Sequence, residues 1–396
     1  MSPSVLVLAD IRFPLERANG VQIVKTAAAL ARAGHRTTLV VRKSDPRETA
    51  EILSLYGVPA DERLLVRRLA VGHGRGRLAL PRLRYLARAT AMALGALREG
   101  AVVFTRDLQL ADALLSLLRG ARVVYESHAV EALLYRERAA IYATSEPTRE
   151  GKARRLERRE RRVWQRAAGF VATTAGIRES FEAAYGPRGR MRVIPNGCDV
   201  PVCRDFPGLA AEQPPRVLYA GQLYPWKGVD VLVEAIAAVP CARLVVLGGL
   251  AGENDLERVR GLVAARGLEG RVELRGTLPQ AQVAQELARA AVVAVPFLKT
   301  GMTERHMSPI KAFEAMAVGR PIVASDLPSS REFLKDGENA LLVPPGDVAA
   351  LASAIKRLLE DRPLAERIAA TAYAEAPQYS WDARAQRLGE LLREVA

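Results

Sequence analysis

Residues 299–326, KTGMTERHMSPIKAFEAMAVGRPIVASD, contain the alternation of patterns that decides the fold class. A short apolar run before them, Ala291–Phe297, is typical of a buried strand. A polar loop comes next, then an apolar-periodic helix over Pro309–Val318 and a second buried strand over Ile322–Ala324. The stretch therefore predicts a strand–loop–helix–strand unit whose loop leads into the positive end of a helix.

The start of this helix has the features of an anion site. Ser308 is a good N-cap and Pro309 a good first helical residue, because proline has no N–H to leave unpaired. The free backbone N–H groups at such a start suit a phosphate. Lys311 lies in the first turn, where a cation is unfavourable unless an anion is bound nearby. Glu314 can reach a ligand hydroxyl, so the site fits a phosphorylated, hydroxyl-rich molecule.

Length and composition favour a two-domain globular protein. A chain of 396 residues is too long for one ordinary core, and 49% hydrophobic residues argue against disorder. Three cysteines without CxxC spacing favour a reducing cytoplasm over a disulfide framework. The apolar run Val5–Ala9 is too short for a signal peptide, and no run approaches the roughly 18 apolar residues of a membrane span. We therefore expect a cytoplasmic protein that can still be peripheral on the inner face of a membrane.

The net charge of +14 is confined to the first half of the chain. Residues 1–200 hold 35 Lys and Arg against 20 Asp and Glu, whereas the rest holds 23 against 24. This asymmetry supports two domains with different partners. Two basic segments, Gly72–Gly100 and Thr148–Arg166, could lie on anionic lipid or bind a charged acceptor. For the second we favour a solvated helix with Glu–Arg pairs, whereas both interpretations stay open for the first.

Both halves alternate short apolar runs with helical patterns, which predicts parallel, doubly wound α/β sheets. The predicted strands are Val5–Ala9, Thr37–Val41, Val102–Thr105, Val123–Glu126, Phe170–Thr173, Met191–Ile194, Val217–Ala220, Arg243–Leu247, Val272–Arg275, Ala291–Phe297 and Ile322–Ala324. The predicted helices include Val21–Ala33, Asp107–Leu118, Val229–Ala238, Asp255–Ala265, Gln280–Ala288, Pro309–Val318 and Asp347–Leu359. A Pro-rich connector, Pro201–Pro215, separates the halves, and the tail from Leu364 is helical with a break near Pro377.

Three places after predicted strands are candidate ligand contacts, because ligands of such sheets bind beyond the carboxyl ends of the strands. The loop Asp10–Gly20 ends in Asn19 and Gly20 before a helix, where backbone can approach an anion or simply turn. His128 can give a proton, hold a sugar hydroxyl or be structural. Lys227, followed by a glycine and a helix, is placed to hold a diphosphate, although a single such lysine is usually solvated.

Three segments together resemble the retaining glycosyltransferases of family 4, whose GT-B architecture has two Rossmann-like domains facing across a cleft. They are GQLYPWKGVDVLVEAI at 221–236, SPIKAFEAMAVGRPIVASD at 308–326 and GENALLVPPGD at 337–347. The likeness spans nearly the whole chain and is strongest over 216–350. Its order and spacing are specific for the superfamily but say little about donor or acceptor.

The resemblance implies three regions and an activity. The regions are an acceptor-binding domain, 1–200, a nucleotide-sugar domain, 201–375, and a C-terminal helix, 376–396, that can cross back to the first domain. The activity is retaining transfer of a sugar from a UDP- or GDP-linked donor to a hydroxyl acceptor in glycolipid, polysaccharide or glycoconjugate synthesis. No metal or cofactor is expected, because helix termini and basic side chains do the work of a metal.

The resemblance also assigns roles to residues at matching positions. Lys227 matches the diphosphate-binding lysine, Glu314 the second acid of a Glu-x7-Glu motif that holds the ribose, and His128 the histidine near the donor sugar. These three are the expected catalytic residues. The other implied donor contacts are the nucleotide-lining Leu278 and Ile310, the phosphate-facing Met307 and Ser308, and Asn19, Gly20, Gln222, His306 and Lys311.

Two of these positions depart from the family's pattern. His306 stands where the first acid of Glu-x7-Glu is expected, and Gln222 replaces an arginine that usually follows Gly221. Losing one charged contact to a diphosphate could cost about 1.5–3 kcal/mol, for which Lys299, Arg305 or Lys311 can compensate. Two alternatives therefore stay open, a non-catalytic partner subunit and a nucleotide-sugar epimerase of the same architecture. Nucleic-acid binding is not expected, because the basic segments lack interleaved aromatic residues.

Overall fold

A computed structural model describes residues 2–15, 17–72, 80–142, 148–201, 205–249 and 254–396. Positions 73–79 of the predicted basic segment and 202–204 of the predicted connector lie outside these ranges. The described residues form two compact units. The first contains the chain up to Arg136, Thr148–Asn196 and Trp381–Ala396, and the second contains residues 137–142 and Gly197–Ser380.

The first unit is built on a parallel sheet of seven strands in the order β3-β2-β1-β4-β5-β6-β7. The strands are β1 (Val5–Phe13), β2 (Thr37–Lys43), β3 (Leu64–Leu69), β4 (Val102–Thr105), β5 (Val123–Ser127), β6 (Gly169–Ala172) and β7 (Met191–Val193). The strand order reverses between β1 and β4, which are neighbours in the sheet. Parallel sheets of this kind bind ligands at the point of reversal.

Helices cover the sheet of the first unit. They are α1 (Ala18–Arg32), α2 (Thr49–Leu55), α3 (Leu80–Arg98), α4 (Leu108–Leu117), α5 (Glu131–Tyr142), α6 (Glu150–Arg166) and α7 (Ala175–Tyr185), followed by the last helix of the chain, Trp381–Val395. Aromatic side chains fill the core under α6 and α7, where the ring of Trp164 lies 4.8 Å from Phe170 and 5.3 Å from Phe181. Large buried rings of this kind contribute much of the free energy of folding.

The second unit has a parallel sheet of six strands in the order β10-β9-β8-β11-β12-β13. The strands are β8 (Arg216–Ala220), β9 (Arg243–Leu247), β10 (Val272–Leu274), β11 (Val292–Val295), β12 (Ile322–Ser325) and β13 (Leu341–Val343). The helices are α8 (Val229–Ala237), α9 (Asn254–Ala265), α10 (Gln280–Ala288), α11 (Gly301–Arg305), α12 (Ile310–Ala317), α13 (Pro328–Arg331), α14 (Val348–Glu360) and α15 (Arg362–Glu375), with α16 the last helix described above. Short 3₁₀ turns lie at Pro225–Lys227 and Ala376–Tyr379.

The predicted fold class is confirmed, since both units are doubly wound parallel α/β sheets. Two strands were not predicted, β3 at the edge of the first sheet and β13 at the edge of the second. The predicted polar loop after β11 contains the short helix α11 instead. Thr300 explains it, because its hydroxyl accepts the backbone N–H of Thr303 at 3.0 Å and caps a single helical turn.

Candidate functional site

The reversal point of the second sheet lies between β8 and β11, which pair through Val217–Val292 and Leu218–Val293. The chain leaves these neighbouring strands at the same edge of the sheet and continues in opposite directions across it. Such a point opens a crevice where small molecules bind. The loops that leave β8 and β11 carry most of the predicted donor contacts.

The loop after β8 closes tightly against the end of β11. Its 3₁₀ turn, Pro225–Lys227, ends at Gly228, whose φ of 72° is in the left-handed region. A β carbon on Gly228 would lie 1.7 Å from the carbonyl oxygen of Pro296, so only glycine fits here. The N–H of Leu298 donates to the carbonyl of Trp226 at 2.9 Å and joins the two loops.

This closure sets Lys227 above two aromatic rings. Its Nζ lies 4.4 Å from the ring centroids of both Trp226 and Phe297. No described residue forms an ion pair with it, and burial lowers the pKa of Lys227 to about 7. A bound anion would favour the charged ammonium, so the position suits a phosphate. The sequence identified the lysine, but the two rings beneath it follow only from the fold.

Helix α12 begins at Ile310 and not at Pro309, so the predicted cap at Ser308 is wrong. Pro309 occupies the N-cap position with extended backbone, and it forms no side-chain cap bond. Ser308 is buried one residue earlier. In the first turn of α12 the N–H of Ala312 donates to the carbonyl of Pro309 at 3.1 Å, so an anion at this helix start would meet the N–H groups of Ile310 and Lys311.

The helix is fixed in place by aromatic packing. Phe313 stacks on Tyr379 with ring centroids 4.6 Å apart and contacts Phe333 at 4.8 Å. Because residues three apart lie on one face of a helix, this packing also sets the direction of the polar face that carries Lys311 and Glu314.

Glu314 is buried, and each of its carboxylate oxygens has a partner, although Oε2 has an ion pair and no hydrogen bond among the described residues. Its Oε2 lies 2.6 Å from Nζ of Lys311, and its Oε1 accepts from Nε2 of Gln280, the first residue of α10. Lys311 therefore has a protein partner, contrary to the expectation that it needs a bound anion. Gln280 was not predicted, because no local pattern marks a glutamine whose side chain hydrogen-bonds a residue 34 positions later in the chain.

The remaining predicted contacts of the second unit surround these groups. His306 follows α11 directly, is 4% exposed and has no partner for Nε2 among the described residues. Burial, helped by Arg305, lowers the pKa of His306 to about 4, so it is neutral at pH 7. Leu278 and Met307 are half-buried against the same apolar cluster, and Ile310 is buried. Gln222 accepts from the Tyr219 hydroxyl through its carbonyl, whereas its side-chain oxygen has no partner among the described residues.

In the first unit, Asn19 and Gly20 lie in the first turn of α1, not in a loop before it as predicted. Strand β1 continues to Phe13 through an irregularity in its pairing with β2, so the connection to α1 is short. A β carbon on Gly20 would lie 1.8 Å from the carbonyl oxygen of Leu15. The glycine lets this connection fold back onto the helix.

His128 follows β5 and is held by an acid. Its Nε2 lies 2.6 Å from Oε1 of the fully buried Glu126. Burial lowers the pKa of His128 to about 4, assisted by Arg106 and opposed by Glu126. Gln22 of α1 donates to the same Glu126 oxygen at 2.7 Å, so Glu126 links α1 to the His128 loop.

Beside these groups, the reversal point of the first sheet carries a charged cluster that was not predicted. Asp10 at β1 contacts Nε of Arg42 at 2.8 Å and Nε of Arg82 at 3.1 Å, and Arg82 also reaches Asp107 at 3.8 Å. Burial raises the pKa of Asp10, with Arg42 opposing the rise. These residues come from separate elements, so their proximity leaves no signal in the sequence.

Two features are absent from the part of the chain that the structure describes. Within the described ranges, no three His, Cys, Asp or Glu side chains gather where they could hold a metal ion. Among the helices that the structure describes, none is both long and apolar enough to cross a bilayer.

Comparison with known proteins identifies the family. The Glycosyl transferase 4-like domain matches residues 19–197, and the Glycosyl transferases group 1 model matches residues 214–361. The chain is 35% identical over 209 residues to the phosphatidyl-myo-inositol mannosyltransferase of Mycobacterium leprae. The aligned region covers 51% of this chain and 53% of that protein. The chain therefore spans about half the length of that relative.

Solved structures agree over the whole chain. The sucrose-phosphate synthase of Thermosynechococcus elongatus matches with a TM-score of 0.78 at 22% identity, covering 99% of this chain and 98% of that one. Anabaena HepE, solved with UDP-glucose, matches with a TM-score of 0.73 at 20% identity, covering 99% of both chains. These structures share the GT-B fold of two Rossmann-like domains. The chain belongs to the family 4-like glycosyltransferases, which confirms the predicted family.

Proposed function

We propose that this chain is a retaining hexosyltransferase that moves a sugar from a nucleotide-diphosphate donor to a hydroxyl acceptor. The observation that carries the proposal is the amine of Lys227, which has no ion-pair partner among the described residues. It lies over two rings at the reversal point of a parallel α/β sheet, where nucleotides commonly bind. Because HepE was solved with UDP-glucose, a UDP-linked donor is the first candidate, and a GDP-linked donor is the second.

In the proposed mechanism, the protein accelerates transfer by neutralising the negative charge of the leaving diphosphate. As the family resemblance implies, Lys227, the start of α12 and the first turn of α1 at Asn19 and Gly20 stabilise the negative charge that grows on the leaving group. Glu314 holds the ribose hydroxyls, and His128 positions the donor sugar. The acceptor hydroxyl attacks from the face that the diphosphate leaves, and the departing phosphate takes its proton. Neither a metal nor a cofactor is needed in this scheme.

The two departures from the family's pattern bear on the donor sugar and the diphosphate. His306 is neutral at pH 7 because its pKa is about 4, so it can exchange hydrogen bonds with a sugar hydroxyl without adding a charge. Gln222 offers a buried side-chain oxygen without a partner among the described residues and no cation. We propose that these residues change which donor sugar is accepted and leave the transfer reaction intact.

Screening a panel of UDP- and GDP-sugars is the direct test of this function. We expect one UDP- or GDP-sugar to raise the melting temperature by mass action and then to be consumed in the presence of a hydroxyl acceptor. A non-catalytic partner subunit would bind none of the panel. An epimerase would interconvert the sugar of a UDP-sugar without any acceptor, so product analysis with and without acceptor separates all three functions.

Replacing Glu314 by glutamine tests the proposed ribose contact. The substitution keeps the shape but removes the charge that Lys311 faces at 2.6 Å and a strong acceptor for ribose hydroxyls. We expect kcat/KM for the donor to fall about tenfold to a hundredfold, as for a lost charged hydrogen bond. Glu338→Gln, which removes an exposed carboxylate paired with Lys335, is the matched control and should keep wild-type kinetics. Equal kinetics for both variants would contradict the role of Glu314.

The acceptor and the location are proposed from the first unit. Exposed leucines lie near basic residues at the start of α3 and on the edge strand β3, among them Leu65, Leu80 and Leu83. We propose a cytoplasmic enzyme that meets a lipid-linked or anionic acceptor at the anionic inner face of a membrane. Vesicles containing anionic lipid should sediment the protein, and Leu80→Ser with Leu83→Ser should weaken binding several-fold. Equal sedimentation with neutral vesicles would contradict this docking.

A further inference from the structure

A buried hydrogen-bond network surrounds Glu126 at the end of β5. Its Oε1 accepts from Nε2 of Gln22 at 2.7 Å and lies 2.6 Å from Nε2 of His128. Its Oε2 pairs with a guanidinium nitrogen of Arg384. Both Glu126 and Arg384 are almost fully buried, with 0% and 1% of their side-chain surfaces exposed. A buried ion pair of this kind is stable only with such additional hydrogen bonds.

The residues around Glu126 determine which atom donates and which accepts in each hydrogen bond of this network. Nη1 of Arg106 donates to Oε1 of Gln22 at 3.0 Å, so the Gln22 amide must turn its NH₂ group to Glu126. Arg384 can only donate. Burial raises the pKa of Glu126, but Arg384 and His128 outweigh it and bring the value to about 2. Glu126 is therefore an ionised acceptor toward every partner.

We propose that Glu126 and Arg384 are positioning residues that hold His128 in its Nε2–H tautomer, so that Nδ1 presents a lone pair to a substrate hydroxyl. An ionised carboxylate cannot donate, so the Nε2 atom beside it must carry the proton. No other described residue hydrogen-bonds the His128 ring, which leaves Nδ1 for a ligand. The inference rests on the proposed contact between His128 and a sugar.

The tautomer of His128 determines which kind of ligand group the ring can bind. A bare Nδ1 accepts a hydrogen bond from a hydroxyl and repels the lone pairs of a phosphate or carboxylate. Within the proposed function, His128 therefore contacts a sugar hydroxyl and not the diphosphate.

Arg384 ties this arrangement to the last helix of the chain. Its Nη1 donates to the carbonyls of Ile194 at 2.8 Å and Pro195 at 2.5 Å, and its Nε donates to the Thr26 hydroxyl at 3.3 Å. The contact with Glu126 joins residues 258 positions apart. The C-terminal helix thus fixes the orientation of a ring in the site, in addition to packing against α1.

Nitrogen NMR of the imidazoles tests the inference directly. The chain has four histidines, so 15N-histidine labelling and one substitution at a time assign His128. We expect wild-type His128 to be neutral near pH 7, with its proton on Nε2 and the far-downfield signal of a bare nitrogen from Nδ1. A proton on Nδ1, or a doubly protonated ring, would overturn the proposal. This measurement needs no substitution at Glu126 and no activity.

Glu126→Gln supplies the second test. Arg384 requires an acceptor, so the oxygen of the introduced amide should face Arg384 and its NH₂ group should face His128. We expect the His128 proton to move to Nδ1 and kcat/KM to fall about tenfold to a hundredfold, as for a lost charged hydrogen bond. A moved proton with wild-type kcat/KM would show that the tautomer does not matter for transfer and would overturn the positioning role.

The matched control is Glu286→Gln in the second unit. Glu286 also pairs with a buried arginine, Arg216, at 2.7 Å, so its loss destabilises the fold in a comparable way. We expect this variant to keep the His128 tautomer and, per folded molecule, the wild-type kcat/KM. Loss of both in the control would mean that Glu126→Gln acts only through stability. If the wild-type chain transfers no sugar at all, the proposed function fails while the NMR result still decides the tautomer.

Discussion

Replacing Lys227 by methionine is expected to abolish most transfer activity while leaving the melting temperature unchanged or higher. The ammonium has no ion-pair partner in the described part of the chain, and burial lowers its pKa to about 7. A lysine pKa below its unfolded value means that the folded state disfavours the charge, so removing the amine takes away no folding stability. Methionine keeps an apolar contact over Trp226 and Phe297.

The loss of activity follows from what the amine does once a diphosphate is present. A charged hydrogen bond contributes about 1.5–3 kcal/mol, which is roughly a tenfold to hundredfold change in affinity or rate. Part of this contribution grows as the leaving group gains charge, so kcat as well as KM should change. A substitution that lowers activity without lowering the melting temperature indicates that the residue serves function and not folding stability.

Steady-state kinetics and thermal melts on the same preparations check this expectation. Lys356→Met is the control, because Lys356 lies on α14 with more than half of its side chain exposed and pairs only with Glu360 among the described residues. The control should match wild type in kcat, KM and melting temperature. Wild-type turnover in Lys227→Met would remove the amine from the mechanism, and a large drop in melting temperature would make its role structural.

The sequence predicted the fold well where apolar runs are long and well bounded. Helix α10, Gln280–Ala288, and strand β9, Arg243–Leu247, were predicted to the residue. Strand β3 was missed because LLVRRL carries two arginines and lies at the sheet edge, where one side need not be apolar. Strand β13, Leu341–Val343, was missed although β7 and β10 have the same length of three residues and were predicted, so its length alone does not explain the miss.

The candidate site was predictable only where its chemistry is local. Lys227 and Glu314 belong to short motifs in which glycine, proline and helix patterns are read within a few positions. Gln280, Glu126 and Arg384 act through partners that the fold brings from distant segments, and no local pattern records such a pair. The predicted cap at Ser308 was wrong for a different reason. The helix begins one residue later than predicted, so Pro309 occupies the N-cap position.

Donor binding should weaken above pH 7, and it should take up a proton. The pKa of Lys227 is about 7 in the free protein, so about half of the molecules carry the ammonium at that pH. A bound diphosphate favours the charged form and raises this pKa, so protonation and binding support each other. Below pH 7 the amine is already charged and affinity is flat. Above pH 7 each unit should cost about tenfold in affinity, since the ammonium must first be restored.

Calorimetry with a UDP-sugar from about pH 6 to about pH 8.5, in buffers of different ionisation enthalpy, measures the proton directly. The diphosphate of a UDP-sugar does not titrate in this range, and His306 is neutral throughout because its pKa is about 4. Glu160 of the first unit, whose pKa burial raises to about 8, titrates in the same range and is present in both wild type and Lys227→Met. Uptake should approach one proton near pH 8 in wild type and vanish in Lys227→Met. Equal uptake in the two proteins would assign the proton to another group and leave Lys227 without a role in binding the anion.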